Sequence, residues 1–231
     1  MNTPSWLTPL RCVKSAEGIV EAGSPVLRHR AVEVDPAELG SPLFRGMVAE
    51  LLRCLGKGVG VAAPQIGFGV RVIAIEDGPH KWQGTKAPPT EAQLLERGRV
   101  ELPRSVLVNP EITLLGDRRA DVMEGCMSVG DIAAVVARHW SVHLRALDLE
   151  GNLIEGDYQG WPARILQHEI DHLDGVLFVD RMEPRTLTRY TSLGELWAGA
   201  TTTDIRAGLN AVTPGPPSAA PPPTPGPASP R

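Results

Sequence analysis

The chain has 231 residues, 42% of them hydrophobic and 22% charged, with a formal net charge of −4. That composition fits one globular domain with some chain to spare, and the acidic balance argues against a general nucleic-acid surface, DNA included, which needs clustered Lys and Arg. No run of about 18 apolar residues exists to cross a bilayer, and Met1-Asn2-Thr3-Pro4-Ser5-Trp6 lacks the basic-then-apolar order of a signal peptide, so a cytoplasmic protein with no membrane partner is expected.

In chain order, residues 1–14 read as an N-terminal extension to a folded unit over residues 15–190. Ser41-Pro42 opens a helix in which Leu43, Phe44, Met47, Val48, Leu51, Leu52 and Leu55 recur at helical steps, and Gly56 and Gly58 stop it. Cys54 on that helix reads as a small buried hydrophobe. With Cys12 and Cys126 it makes an odd, widely spaced set that offers no disulfide framework. A glycine-rich stretch follows, then strand candidates at residues 70–75, 106–108, 112–115, 134–136 and 140–147. Between them, residues 77–104 read as a charged surface insertion with a short helical pattern at 91–96. His139 and His143 read as half-exposed strand residues. Gly160-Trp161-Pro162 opens a second long helix, which Gly175 ends. Short strands and two separated helices without regular alternation predict an α+β fold, with short mixed or antiparallel sheets around the second helix. Residues 191–212 read as a helical C-terminal extension. Residues 213–231 hold nine of the 22 prolines and no aliphatic residue larger than Ala, so they are expected to be disordered.

The second helix carries His168-Glu169-Ile170-Asp171-His172. Leu166, Ile170 and Leu173 fall on a core-facing stripe, and Ile165, His168, Glu169 and His172 on the stripe beside it. Two imidazoles one turn apart can grip one ion, with Glu169 next to them as a base. A catalytic metal site usually takes three protein ligands. Downstream candidates for the third are Asp174, Asp180 and Glu183; upstream, Glu124-Gly125-Cys126-Met127-Ser128 offers a thiolate in a turn-like segment.

Three segments together resemble the peptide deformylase family: Gly58-Val59-Gly60-Val61-Ala62-Ala63-Pro64-Gln65-Ile66-Gly67, Glu124-Gly125-Cys126-Met127-Ser128 and Gln167-His168-Glu169-Ile170-Asp171-His172. Order and spacing match, over roughly residues 23–181, and the 77–104 insertion with Gly160-Trp161-Pro162-Ala163-Arg164-Ile165 is similar to the mitochondrial-like branch. The resemblance implies an amide hydrolase that removes formate from the formyl-methionine of nascent chains, with those peptides as substrate and the ribosome as partner. It implies Cys126, His168 and His172 as ligands of one divalent ion, ferrous iron in the cell, with zinc, nickel or cobalt in preparations. Glu169 would be the general acid/base, and the side-chain amide of Gln65 and backbone N–H of Met127 the oxyanion donors. Gly60 would leave room for an extended substrate backbone. Val59, Trp161, Ile165 and the apolar stem of Arg164 would line the pocket for the first side chain, and Glu124 would pair with Arg138 to hold the cysteine turn. Met127 stands where many members carry Leu, and Ala137 where Pro is common. Two rival readings are an H-E-x-x-H endopeptidase, which has no need of the Gln65 segment, and a non-catalytic module binding nascent chains or ribosomes, which has no need of an intact ligand set.

Overall fold

The computed structural model of the protein describes residues 12–82 and 88–211; the proline-rich segment 213–231 and residues 1–11 of the expected N-terminal extension lie outside the described residues. Helix α1 (Pro42–Leu55) begins where the Ser41 hydroxyl accepts from the Phe44 N–H, with Pro42 in its first turn. Its apolar stripe buries Phe44, Met47, Val48, Leu51 and Leu55, and Cys54 lies buried among them. Strand β1 (Gly60–Ala62), a tight turn at Ala63–Ile66 and strand β2 (Val72–Asp77) follow. Every residue of β2 is buried because both of its faces are covered: Val72 and Ala74 pack with α1, whereas Ile73 and Ile75 pack toward the second long helix.

Helices α2 (Pro79–Trp82) and α3 (Glu91–Arg97) come next, α3 opened by a Thr90–Gln93 capping box and stopped by Gly98 at φ 55°. Strands β3 (Leu102–Gly125) and β4 (Ile132–Leu147) form a long hairpin, followed by β5 (Leu153–Gln159) and helix α4 (Gly160–Leu173). Strand β6 (Thr188–Arg189) and helices α5 (Tyr190–Leu196) and α6 (Thr202–Ala211) end the described chain. All strands belong to one antiparallel sheet of order β1-β2-β3-β4-β5, with β6 pairing β4.

The α+β class is as expected, but the strand lengths are not. The candidates at 106–108 and 112–115 belong to one 24-residue strand, and those at 134–136 and 140–147 to one 16-residue strand. Asn109-Pro110 and Gly116 lie at bulge-like register shifts inside β3, so the strand continues through them. Asn109 sits at φ 50°, a conformation its side chain supports by bonding both ways to the Val34 backbone. β5, half polar by alternation, escaped the sequence reading.

Helix α4 lies against this sheet, with Ala163, Ile165, Leu166, Ile170 and Leu173 packed on Ile73, Leu107, Val142 and Leu144. Most of both expected stripes is buried, Glu169 being 4% exposed and His172 1%, while His168 is half-buried. Leu193 and Trp197 from α5 and its C-terminal flank, with Ile205 of α6, pack on Met123 and Val135 of the hairpin. Segment 77–104 keeps the surface character expected, α2 and α3 having no buried residue, but it is tied down to the core. Asp77 is fully buried and accepts two bonds from Arg99, at 2.6 and 2.7 Å. The Trp161 N–H then donates to the Gly98 carbonyl, so the end of α3 is seated on the start of α4. Among the described residues no helix is long and apolar enough to cross a membrane.

Candidate active site

Helix α4 sets His168 and His172 one turn apart, and the turn after β3 brings Cys126 to them from the sheet. Their ligand atoms all lie within 4.8 Å of one another, with Cys126 Sγ 3.2 Å from Nε2 of His172. Gly125 pairs with Ala133, and the Val129 N–H closes the turn on the Cys126 carbonyl. A Cβ at Gly125 would push the Tyr190 ring aside, since it would fall 2.7 Å from Cζ of Tyr190. The downstream candidates for the third ligand are engaged elsewhere: Asp174 with Arg71, Asp180 with Arg28 and Glu183 with Arg206.

Burial raises the pKa of the Cys126 thiol, but the imidazoles of His172 and His168 outweigh it and hold the group well below its ordinary value. One thiolate and two imidazoles converging on a point fit a single divalent ion of borderline softness with a position left open. Nδ1 of His168 donates to Glu124 Oε2 at 3.1 Å, which leaves Nε2 as its ligand atom.

Glu124 is the centre of a buried network. It accepts a two-pronged bond from Arg138 (2.7 and 2.9 Å) and a further bond from Arg164. Burial alone would raise its carboxyl, but Arg138 and His168 hold it well below the usual carboxylate range. Arg138 also donates to Asp171 at 2.7 Å, and Arg181 grips that carboxylate with two more bonds. The expected Glu124–Arg138 pair is present, and through it β3, β4 and α4 are tied together behind the ligand set.

Glu169 stands beside the three donors, buried, with its carboxyl pushed up to about 7. Burial is the main cause; the Cys126 thiolate adds to it, and His168 and His172 oppose it. A Cβ on Gly60 would fall 2.7 Å from Cδ of Glu169. The space that a Gly60 side chain would need is thus taken by the Glu169 side chain. Gln65 is fixed by its own carbonyl, Oε1 accepting from the Ala62 N–H at 2.9 Å, so Nε2 points to Ser128 Oγ (3.2 Å) and Cys126 Sγ (3.5 Å). Met127 follows Cys126 in the same turn.

These groups open on a cleft of about 450 Å³. Val59, Trp161, Arg164 and Ile165 line it, and so do Gly60, Gln65, Met127 and Glu169. Only the stem of Arg164 is wall, because its guanidinium is spent on Glu124 and on the carbonyls of Val136 and Ala120. Among the lining residues that the motifs do not reach are Arg97 at the end of α3, and Tyr190 and Leu193 of α5. They lie far along the chain from every motif, and no spacing rule reaches them.

The profile of the polypeptide deformylase family matches residues 16–187. Peptide deformylase 1 of Streptomyces coelicolor is 43% identical over 225 residues, covering 94% of this chain and 99% of the relative. Human mitochondrial peptide deformylase is 37% identical over 172 residues, covering 74% of this chain and 69% of the relative. Among solved structures, the Met-Ala-Ser-bound class I type b peptide deformylase of Acinetobacter baumannii matches with a TM-score of 0.58 and 32% identity, covering 76% of this chain and 99% of its own. The chain belongs to the polypeptide deformylase family.

Proposed function

We propose that this cleft is the reaction site of a metal-dependent hydrolase that removes the formyl group from the N-terminal formyl-methionine of new polypeptides. The observation that carries the reading is the convergence of Cys126, His168 and His172 beside a buried Glu169 at the wall of a peptide-sized cleft. The three donors would hold one divalent ion, iron(II) in the cell, with zinc, nickel and cobalt also suited to the set; when bound, it acidifies water and polarises the formyl oxygen.

The chain's own residues do the rest. Glu169 takes the proton of the attacking water and returns it to the leaving amine; a carboxyl near neutrality can do both. The Gln65 amide, held by Ala62, and the Met127 N–H donate to the oxygen that gains charge. β1 ends the sheet, so an extended peptide can add along its outer edge while the methionine side chain enters between Val59, Trp161, Ile165 and the Arg164 stem. The catalytic unit spans residues 15–190, with Leu193 adding to the cleft wall, and its substrates are nascent chains met at the ribosome in the cytoplasm.

The test is formate release from formyl-Met-Ala-Ser by the full chain loaded anaerobically with iron(II). A fully metallated protein that releases none would refute the reading. Cys126→Ala is expected to lose the ion by elemental analysis and to lower turnover more than about 100-fold, beyond what loss of an outer partner costs. Gly60→Ala separates position from binding: it keeps the ion but displaces Glu169, so kcat should fall about 100-fold with KM little changed. An unchanged kcat would show that Glu169 need not occupy that space.

A further inference from the structure

Arg97 is a cation in the cleft wall that the deformylation chemistry does not use. Its guanidinium carbon lies 5.1 Å from the Trp161 ring centroid, and its Nε is buried with no hydrogen-bond partner among the described residues. The other arginines around it are neutralised. Arg99 is held by Asp77 and Arg164 by Glu124. Lys57, also in the lining, pairs with Glu17 at 3.1 Å. Glu96, next to Arg97 in sequence, turns its carboxylate to the start of α6, accepting from the Thr202 N–H at 2.8 Å. Every Asp and Glu of the chain lies among the described residues, and none is within ion-pair distance of Arg97.

A half-buried charge without a counter-charge is unfavourable, and burial with Arg99 and Arg164 nearby pushes the Arg97 pKa down. An anionic ligand in the cleft would relieve that. The cleft, at about 450 Å³, has room for more than a formylated methionine, so residues that follow the methionine would also fit within it. We propose that Arg97 is a specificity-determining residue that receives a carboxylate from the second or third residue of the formylated peptide, so that chains beginning formyl-Met with an early Asp or Glu are preferred. This rests on the cleft being the formyl-peptide site.

The experiment uses the metal-loaded full chain and amidated peptides, which carry no terminal carboxylate: formyl-Met-Ala-Ala, formyl-Met-Glu-Ala, formyl-Met-Ala-Glu and the matching Lys peptides. At low salt the better Glu peptide should exceed its Lys counterpart about tenfold in kcat/KM, through KM, the size of one partly screened charge-assisted bond. Arg97→Gln should bring that ratio close to one while neutral-peptide turnover persists, Arg97→Lys should keep most of it, and 0.5 M salt should weaken it in the wild type. If Arg97→Gln folds poorly, the Arg97→Lys and salt arms still decide the matter. Equal turnover of Glu and Lys peptides by the wild type, or a preference that survives Arg97→Gln and disappears in Lys57→Gln, overturns the assignment. Failure to deformylate even the neutral peptide would strike the reading of the cleft itself, a distinct result.

Discussion

Glu169→Ala should lower formate release from formyl-Met-Ala-Ser by about 10²–10⁴-fold, the range of a positioned acid/base, with the metal content unchanged because all three ligands remain. The pH profile gives the sharper test. Only the carboxylate form can accept the proton of water, so wild-type kcat/KM must fall on the acid side as Glu169 protonates. Burial places that carboxyl at about 7 in the protein without its ion. A bound divalent cation favours the carboxylate, so the acid limb of the loaded enzyme should lie below 7, while the metal-free protein should show a group titrating near 7. The sign for stability runs against function. A carboxyl raised from 4.5 to about 7 makes the folded state bind the extra proton between those values, so stability falls as pH rises through that window. Glu169→Gln should therefore make the metal-free protein more stable than wild type at pH 8 while abolishing most turnover. An acid limb unchanged in Glu169→Ala, or a variant as active as wild type, would remove Glu169 from the reaction.

Helices α1 and α4 were legible because each states its case locally: an apolar stripe at helical steps, a Pro in the first turn and glycine beyond the end. The Cys126, His168 and His172 cluster was legible because three short motifs, each common alone, occur together in one order and spacing. What escaped depends on distant parts of the chain. Asn109-Pro110 is punctuation in sequence, but the Val34 backbone, 75 residues away in sequence, stabilises the bent residue and lets β3 continue. The resemblance gives the stem of Arg164 as pocket lining, and nothing local says that its head reaches a carboxylate on β3. Segment 77–104 reads as surface because it is charged, and its helices are surface; what composition cannot express is the buried Asp77–Arg99 pair that ties it down.

The largest effect on the fold is expected from Glu124→Ala. The carboxylate sits 5% exposed between Arg138 and Arg164, each 4% exposed, and removing it leaves two buried guanidinium groups facing each other. Breaking a buried pair from one side costs about 3–5 kcal/mol. Here the lower end applies, because Arg138 keeps Asp171 and Arg164 keeps the Val136 and Ala120 carbonyls. At about 2–4 °C per kcal/mol for a chain of this length, a fall in Tm near 10 °C follows. Glu124→Gln keeps the shape and loses the charge, so its loss should be smaller. The pH dependence has the opposite sign to that of Glu169. A carboxyl held below its unfolded value stabilises fully above about pH 4.5, and that contribution is lost as pH falls toward its folded value. The wild type should thus lose its advantage over Glu124→Gln in acid. The same carboxylate fixes Nδ1 of His168, so metal affinity should also drop about 10–100-fold in either variant. A purely structural network predicts lost stability with unchanged affinity, and a purely positioning one predicts the reverse. A double-mutant cycle with Arg138→Ala, read in both Tm and metal affinity, separates them: coupling in both is expected, because one carboxylate faces the guanidinium on one side and the ligand imidazole on the other.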